Sequence, residues 1–454
     1  MNRTKLALAF VVLVYLCVGA LYAIKTPDWQ VPDEPAHYNY VRQLVEGRGL
    51  PVLELGDYDQ GYLDRLRSER FPPELPVEVV EYEDHQPPLY YALSAPLYRV
   101  FDGALTPLRL FSVVLGAGVV LLAFAVAATV FPDAPLLALG TAAFVAFLPQ
   151  HVAMMAGVNN DGLAELLIGV VLWMSVRWVH KPTSGRWLVG LGVALGLGLV
   201  TKTTFLPIAP VVALAVFVAW WRDPDAAGVP LARRPWRELL RALALVFGPA
   251  ALIAAPWWTR NLSLYGGLDV YGLANHDAVV LGQPRTTDWI RDYGLGAWLE
   301  RGITFTFQSF WGQFGWMGVL MPTWLYRGLA LWSGALAAGF LVWLQRVRGA
   351  AAREPGGDAR GATRDAQLLV LATTAPWVAL AFAYYNRTFV QHQGRYLFPA
   401  LIPIALGVAL ATDALTRLVR CPERLRSLAF FTPYLAMVAL DLYALWRLIL
   451  PALA

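Results

Sequence analysis

Residues 6–40 read LALAFVVLVYLCVGALYAIKTPDWQVPDEPAHYNY. The run from Leu6 to Ile24 is apolar throughout, and at 1.5 Å per residue it is long enough for the ~30 Å hydrocarbon core of a bilayer. Asp33 and Glu34 follow side by side only a few residues later. Arg3 and Lys5 precede the run, and no small-residue cleavage site ends it. It is therefore expected to be a retained first transmembrane helix and not a removed signal peptide.

The rest of the chain repeats this pattern. Of 454 residues, 57% are hydrophobic and only 15% are charged, with a mean hydropathy of +0.50. Soluble domains carry about 25% charged residues, so the composition indicates a polytopic membrane protein. Apolar runs fall near 6–24, 107–131, 134–152, 162–180, 186–201, 204–221, 240–258, 323–344, 367–385, 397–416 and 429–449. The short, Gly-rich 186–201 run is expected to form a bent or partly re-entrant element with 204–221. Two cysteines, Cys17 in the first run and Cys421 in a basic loop, suggest no bridge.

Lys and Arg set the expected orientation. With the N-terminus inside, the inner segments collect Arg3 and Lys5, then Arg177, Lys181 and Arg186, then Arg222, Arg233, Arg234, Arg237 and Arg241. Arg346, Arg348, Arg353, Arg360 and Arg364 follow, and then Arg417, Arg420, Arg424 and Arg426. The outer side then holds two long segments. Residues 25–106 carry fifteen carboxylates, and residues 259–322 are rich in aromatics. The inner loop 345–366 contains EPGGDARGAT and is expected to be flexible. The whole chain, 1–454, is expected to form one membrane domain.

Several polar groups face the outer side in this scheme. Ala36, Tyr40, Val41, Leu44 and Val45 recur at helical spacing after Asp33–Glu34, which predicts a short amphipathic helix along the interface. Asp33 suits its N-cap, with Glu34 and Pro35 in the first turn. Capping needs one acid only. EDHQPPLYY, residues 83–91, predicts a second interfacial helix with His85 and Gln86 at its N-terminus, where backbone N–H groups favour an anion. A solvated turn reads equally well there.

In PQHVAMMAGVNNDGLAELL, residues 149–167, Asp161 and Glu165 share one helical face at the start of a span. Asp161 also suits a cap, whereas an acid one turn inside a span is a functional hypothesis by default. Lys202, Arg260 with Asn261, and Arg395 lie on the same side. Each has an ordinary reading as an interface anchor. Carboxylates and cations together at an outer membrane surface suit group transfer from a lipid-linked phosphate. Asp441 and Arg447 in the last span are expected to pair within the bundle.

At these residues the sequence resembles the polytopic GT-C glycosyltransferases. The resemblance follows the order of the acidic pair, HxPPLYY, NND, TK, WWxRNxxxYG and QGRYLFP along most of the chain. It is strongest to bacterial members similar to protein O-mannosyltransferases and the lipid A aminoarabinose transferase. It implies an all-α integral membrane fold, a GT-C-type bundle of about eleven transmembrane helices, N-in and C-out, with interfacial helices in a long first extracytoplasmic loop. It implies transfer of a sugar from a polyprenyl-phosphate carrier to a glycan, lipid or protein hydroxyl, with inversion, at the outer face of a bacterial inner membrane. Membrane lipids would surround it, and no nucleic acid partner is expected.

The resemblance also implies roles. Asp33 or its neighbour Glu34 matches the general base, and Asp161 the second acid. Lys202, Arg260 and Arg395 would neutralise the leaving phosphate, with His85 and Gln86 at its edge and His37, Asn160, Glu165 and Tyr396 in support. Relatives commonly carry a basic residue where Gln86 stands. Some relatives hold a divalent cation between their acids, for which Asp33, Glu34 and Asp161 would be the ligands here; no metal is assigned. The rival readings are a secondary transporter and a non-catalytic subunit of polysaccharide assembly. A transporter calls for repeat symmetry and short outer loops, which this sequence lacks.

Overall fold

The computed structural model describes residues 3–226, 228–353, 359–418 and 422–453. Arg420 and Cys421 lie outside the described residues, as does the stretch 354–358 within the expected loop; the side chains of Arg353 and Arg424 are likewise not described. All eleven apolar runs are helical. Among the described residues nine helices are long and apolar enough to cross a membrane, beginning with α1 (Arg3–Lys25). Taken together, α6 (Pro135–Phe147) and α7 (Pro149–Met155), bent 62° to one another, are also long and apolar enough to cross. Pro149 at the start of α7 has no N–H to continue α6.

The 186–201 run, expected to be bent or partly re-entrant, is a short helix. This run forms α9 (Gly185–Leu199), too short by itself to cross the hydrocarbon. It nevertheless returns the chain through the bundle. α8 (Asp161–His180) starts at Asp161, and Lys202, just past α9, meets Asp161 again. The glycines of α9 explain its path. A methyl group on Gly192 would overlap the Val246 carbonyl, and one on Gly196 would press on the Ala250 backbone. These small residues let α9 lie directly against α11 (Trp236–Tyr265), a common packing device inside membranes.

The bundle is completed by α5 (Leu105–Val130), α10 (Ile208–Trp221), α14 (Thr323–Arg353), α15 (Ala359–Tyr385), α16 (Leu401–Thr416) and α17 (Glu423–Tyr443). The expected flexible loop 345–366 is helical on both flanks, as the ends of α14 and the start of α15. Lys and Arg recur in these turns because the helix ends there face one end of the bundle. Asp441 does not pair with Arg447. It is fully buried with both carboxylate oxygens unpartnered, while Arg447 is exposed in the π-helical turn that follows.

The other end of the bundle carries the two long loops. The first forms α2 (Glu34–Val45), α3 (Gln60–Ser68) and α4 (Leu89–Val100). α2 is more deeply buried than an interfacial helix: Ala36, His37, Asn39, Tyr40 and Val41 are all within 2% of full burial. The second forms α12 (Leu273–Val279), α13 (Thr286–Trp311) and a small antiparallel pair, β1 (Gln313–Phe314) with β2 (Val319–Leu320). Trp316 fastens the loops together: its indole stacks on Phe71 and donates to the Trp29 carbonyl at 2.9 Å.

Candidate active site

Asp33 precedes α2 in a left-handed conformation, φ 66°, and its side chain caps nothing. An aspartate tolerates this region better than most residues, but the conformation is still costly. It turns the carboxylate away from the helix and toward two donors. Arg395 Nη2 donates to Oδ2 at 2.6 Å, and the Tyr82 hydroxyl donates to Oδ1 at 2.8 Å. Asp33 and Arg395 thus lie at one point although 362 residues separate them.

Arg395 is held by its own turn. Gly394 begins the 3-10 stretch Gly394–Ala400 against α13, so closely that any Cβ would overlap the backbone of Thr306 and Phe310. The Gly394 N–H donates to Ser309 Oγ at 2.7 Å, and Arg395 Nε donates to Gln393 Oε1 at 2.7 Å. Tyr396 follows, its ring beneath the Arg395 guanidinium.

Glu34 does something else. It is 0% exposed and accepts two hydrogen bonds from Arg109, Nε to Oε1 at 2.8 Å and Nη2 to Oε2 at 2.6 Å. The Val158 N–H donates to the same carboxylate at 3.1 Å. Arg109 also donates to the carbonyls of Ala23, Thr26 and Pro27 at the end of α1. A buried bidentate pair with its lone pairs filled is a structural clamp. The adjacent acids therefore divide their duties: Glu34 locks α2 to α1 and α5, and Asp33 alone faces the open cluster.

The second acid, Asp161, accepts from Lys202 Nζ at 2.6 Å. Asn159 Oδ1 accepts the Asp161 N–H at 2.9 Å. Asn160 links three motifs: its amide donates to Gln86 Oε1 and to the Thr201 carbonyl, each at 3.2 Å. The Leu89 N–H reaches the Val200 carbonyl at 3.0 Å, so the PPLYY helix start sits on the Lys202 turn. The carboxylates keep solvent contact, Asp33 at 24% and Asp161 at 25% side-chain exposure, while Arg395 is at 8%.

His37 fills the space between these pairs. Its Nδ1 hydrogen-bonds the Tyr91 hydroxyl at 2.8 Å. Burial and the nearby Lys202 charge push its pKa down to about 3, against the pull of Asp33 and Asp161, so it is neutral at physiological pH. Burial works against the Asp33 carboxylate, but Arg395, His37 and the Tyr82 hydroxyl outweigh it and hold its pKa at about 2. Glu83 moves the other way: burial and the Asp33 charge push it up to about 8.

Two of the sequence-predicted residues, Arg260 and Glu165, have their partners apart from this cluster, and His85 touches it through Gln86 at 3.3 Å. Arg260 donates to the carbonyls of Leu50 and Pro51 and to Asn261 Oδ1, over the Trp257 ring; it secures the first loop to α11. Glu165 pairs with His151 at 3.0 Å inside the bundle, where His151 also contacts the Val145 carbonyl. His85 packs on His276 with its Nδ1 toward the Tyr82 carbonyl. The three acids named as candidate cation ligands are each held by a basic side chain. Asp33, Glu34 and Asp161 each have a different basic partner, and no group of three His, Cys, Asp or Glu among the described residues is arranged to hold a metal. Sequence reading missed Arg109 and Tyr82, and it counted Glu83 only as one acid among fifteen.

Beside the cluster an apolar groove of about 630 Å³ runs down the bundle, lined by Ile303, Phe307, Phe310, Leu336 and Val408. Leu397, two residues past Arg395, forms part of its wall.

Residues 85–253 match the family model described as dolichyl-phosphate-mannose-protein mannosyltransferase. No curated protein matches the chain. Among solved structures, ArnT from Cupriavidus metallidurans bound to undecaprenyl phosphate is similar, at 15% identity and a TM-score of 0.52, over all of this chain and 74% of that one. The archaeal oligosaccharyltransferase AglB from Archaeoglobus fulgidus, in complex with an inhibitory peptide and a dolichol-phosphate, is similar at 15% identity and a TM-score of 0.54, over 97% of this chain and 56% of that one. The chain thus spans only about half the length of the archaeal enzyme. At these identities the likeness establishes architecture: the chain is an all-α polytopic membrane protein with the GT-C fold.

Proposed function

We propose that the chain transfers a sugar from a polyprenyl-phosphate carrier to a hydroxyl acceptor at the extracytoplasmic face of a bacterial inner membrane. The observation that carries this reading is the pairing of Asp33 with Arg395 and of Asp161 with Lys202 at one end of the bundle, beside an apolar groove. The partly exposed carboxylates suit an acceptor hydroxyl. The two cations suit a phosphate, and the groove suits an isoprenoid tail. That lipid phosphates accompany ArnT and AglB supports the same donor class. The positive-inside pattern supports the outer face.

In this mechanism the acceptor oxygen attacks the anomeric carbon while the bond to the phosphate oxygen breaks, with inversion. Asp33 takes the hydroxyl proton, and Asp161 orients the acceptor. Arg395 and Lys202 receive the developing phosphate charge, with Gln86 at its edge. Binding of a phosphate would compete with Asp33 and Asp161 for these cations, releasing the carboxylates for the acceptor. Native mass spectrometry of the purified protein tests the donor class. A copurifying polyprenyl phosphate, lost in the Arg395→Ala variant, is expected; a protein that carries only bulk phospholipid would contradict it.

A further inference from the structure

Glu83 has no role in the scheme above, yet it lies inside the same cluster. Its Oε2 atom is sequestered from solvent without a hydrogen-bond partner, an arrangement that proteins rarely leave unused. Its carboxyl is hydrogen-bonded to Gln86 and lies within the fields of Asp33, Lys202 and Arg395. Tyr91 on α4, Tyr385 at the end of α15 and Tyr396 beside Arg395 feel its charge in turn, as do Tyr82 and Asp84 in its own loop. The carboxyl is thus surrounded by the elements that build the site.

Asp33 is a poor resting place for a proton. Its two oxygens already accept from Arg395 and Tyr82, so protonation would displace one of these donors and remove the charge that pairs with Arg395. A buried carboxylate with one oxygen unpartnered can hold the proton there without such a loss. Resting on the transferase reading, we propose that Glu83 is the second proton-transfer residue of this site, receiving at Oε2 the proton that Asp33 takes from the acceptor hydroxyl. The acceptor O–C1 bond forms, the C1–O phosphate bond breaks with its electron pair left on the phosphate, and the proton passes from acceptor oxygen to Asp33 and then to Glu83. Loss of that proton to water resets the pair. Glu83 must be ionised to accept it, so the rate rises with pH through the Glu83 titration near 8.

Two measurements test this on the full chain in detergent. Infrared difference spectra across a pH titration are expected to show protonated-carboxyl C=O absorption that disappears through about pH 8 in wild type, with the Glu83 share missing in Glu83→Gln and the Asp84 share remaining. Release of undecaprenyl phosphate from mannosyl-phosphoryl-undecaprenol is then followed from about pH 6 to about pH 9.5. Wild-type kcat/KM is expected to climb with a midpoint near pH 8 and level off above about pH 9. Glu83→Gln should lose that limb and fall about 10²-fold at the plateau, and Glu83→Asp should regain the limb with a displaced midpoint. A Gln variant that keeps the limb, even at a uniformly lower rate, overturns the proposal and leaves the transferase reading intact. No release by wild type overturns the transferase reading and the catalytic role of Glu83 with it, whatever the infrared band does.

Discussion

Arg395 and Asp33 meet through a 2.6 Å hydrogen bond that ties the start of a late transmembrane span to the first loop. This contact sets the geometry of the proposed site, because it fixes a carboxylate and a phosphate-binding cation in one place. Arg395→Ala removes the cation and the Asp33 clamp together. In steady-state kinetics with mannosyl-phosphoryl-undecaprenol, the KM for donor is expected to rise by about tenfold or more, with a much smaller change in the KM for acceptor. Equal changes in both would remove the phosphate role. Arg395→Lys should recover only part, since an ammonium keeps the charge and loses the planar fork.

The clamp formed by Glu34 and Arg109 makes a different prediction. Both side chains are at most 1% exposed, so truncating one strands a buried charge. Glu34→Ala is expected to destabilise the protein by about 3–5 kcal/mol, seen as a large drop in the detergent melting temperature. Asp33→Asn, which keeps an oxygen that can accept from Arg395 and sits at a partly exposed position, should shift the same melting curve by less. If Glu34→Ala melts like wild type and only loses activity, the division of duties between these neighbours is wrong.

The loop acids give stability a pH dependence. Burial pushes Asp84 up to about 8, despite two hydrogen bonds from Gln43 Nε2 at 2.9 and 3.1 Å. An acid whose folded pKa is raised binds its proton more tightly in the folded state. Stability from this group is therefore greatest below the ordinary carboxyl range and declines as pH rises from about 4 to about 8. Asp84→Asn, which can still accept from Gln43, should flatten that decline and melt higher than wild type above about pH 8. An unchanged slope would show that Asp84 ionises freely.

The close packing of α9 on α11 predicts intolerance at one position. Gly192→Val would drive its side chain into the Val246 backbone, which cannot move aside as a flexible side chain could. The variant is expected to insert but aggregate on size-exclusion chromatography, whereas Gly248→Ala, with open space around it, should behave as wild type. Monodisperse Gly192→Val protein would contradict the packing.

Much of this arrangement can be read from local pattern. The apolar runs and the basic turns identify the bundle, because both are driven by transfer from water to lipid. Asp33, Asp161, Lys202 and Arg395 are recognisable as polar residues beside apolar runs, where anchoring or function are the main reasons to tolerate them. Partner choice is not legible in this way. Nothing near Glu34 announces Arg109, which lies 75 residues away within an otherwise apolar span. Arg260 looks equivalent to Arg395 in sequence, but the path of the first loop gives it the carbonyls of Leu50 and Pro51. Glu83 is indistinguishable from its acidic neighbours until the fold removes its partners.

The central claim is that Asp33 acts on the acceptor in a sugar transfer from a lipid phosphate. The most direct measurement compares purified wild type and Asp33→Asn for the release of undecaprenyl phosphate from mannosyl-phosphoryl-undecaprenol. The variant is expected to lose about 10²–10⁴-fold in kcat at every pH while remaining folded and monodisperse and keeping its copurifying lipid. A variant that releases lipid phosphate as fast as wild type would contradict the account.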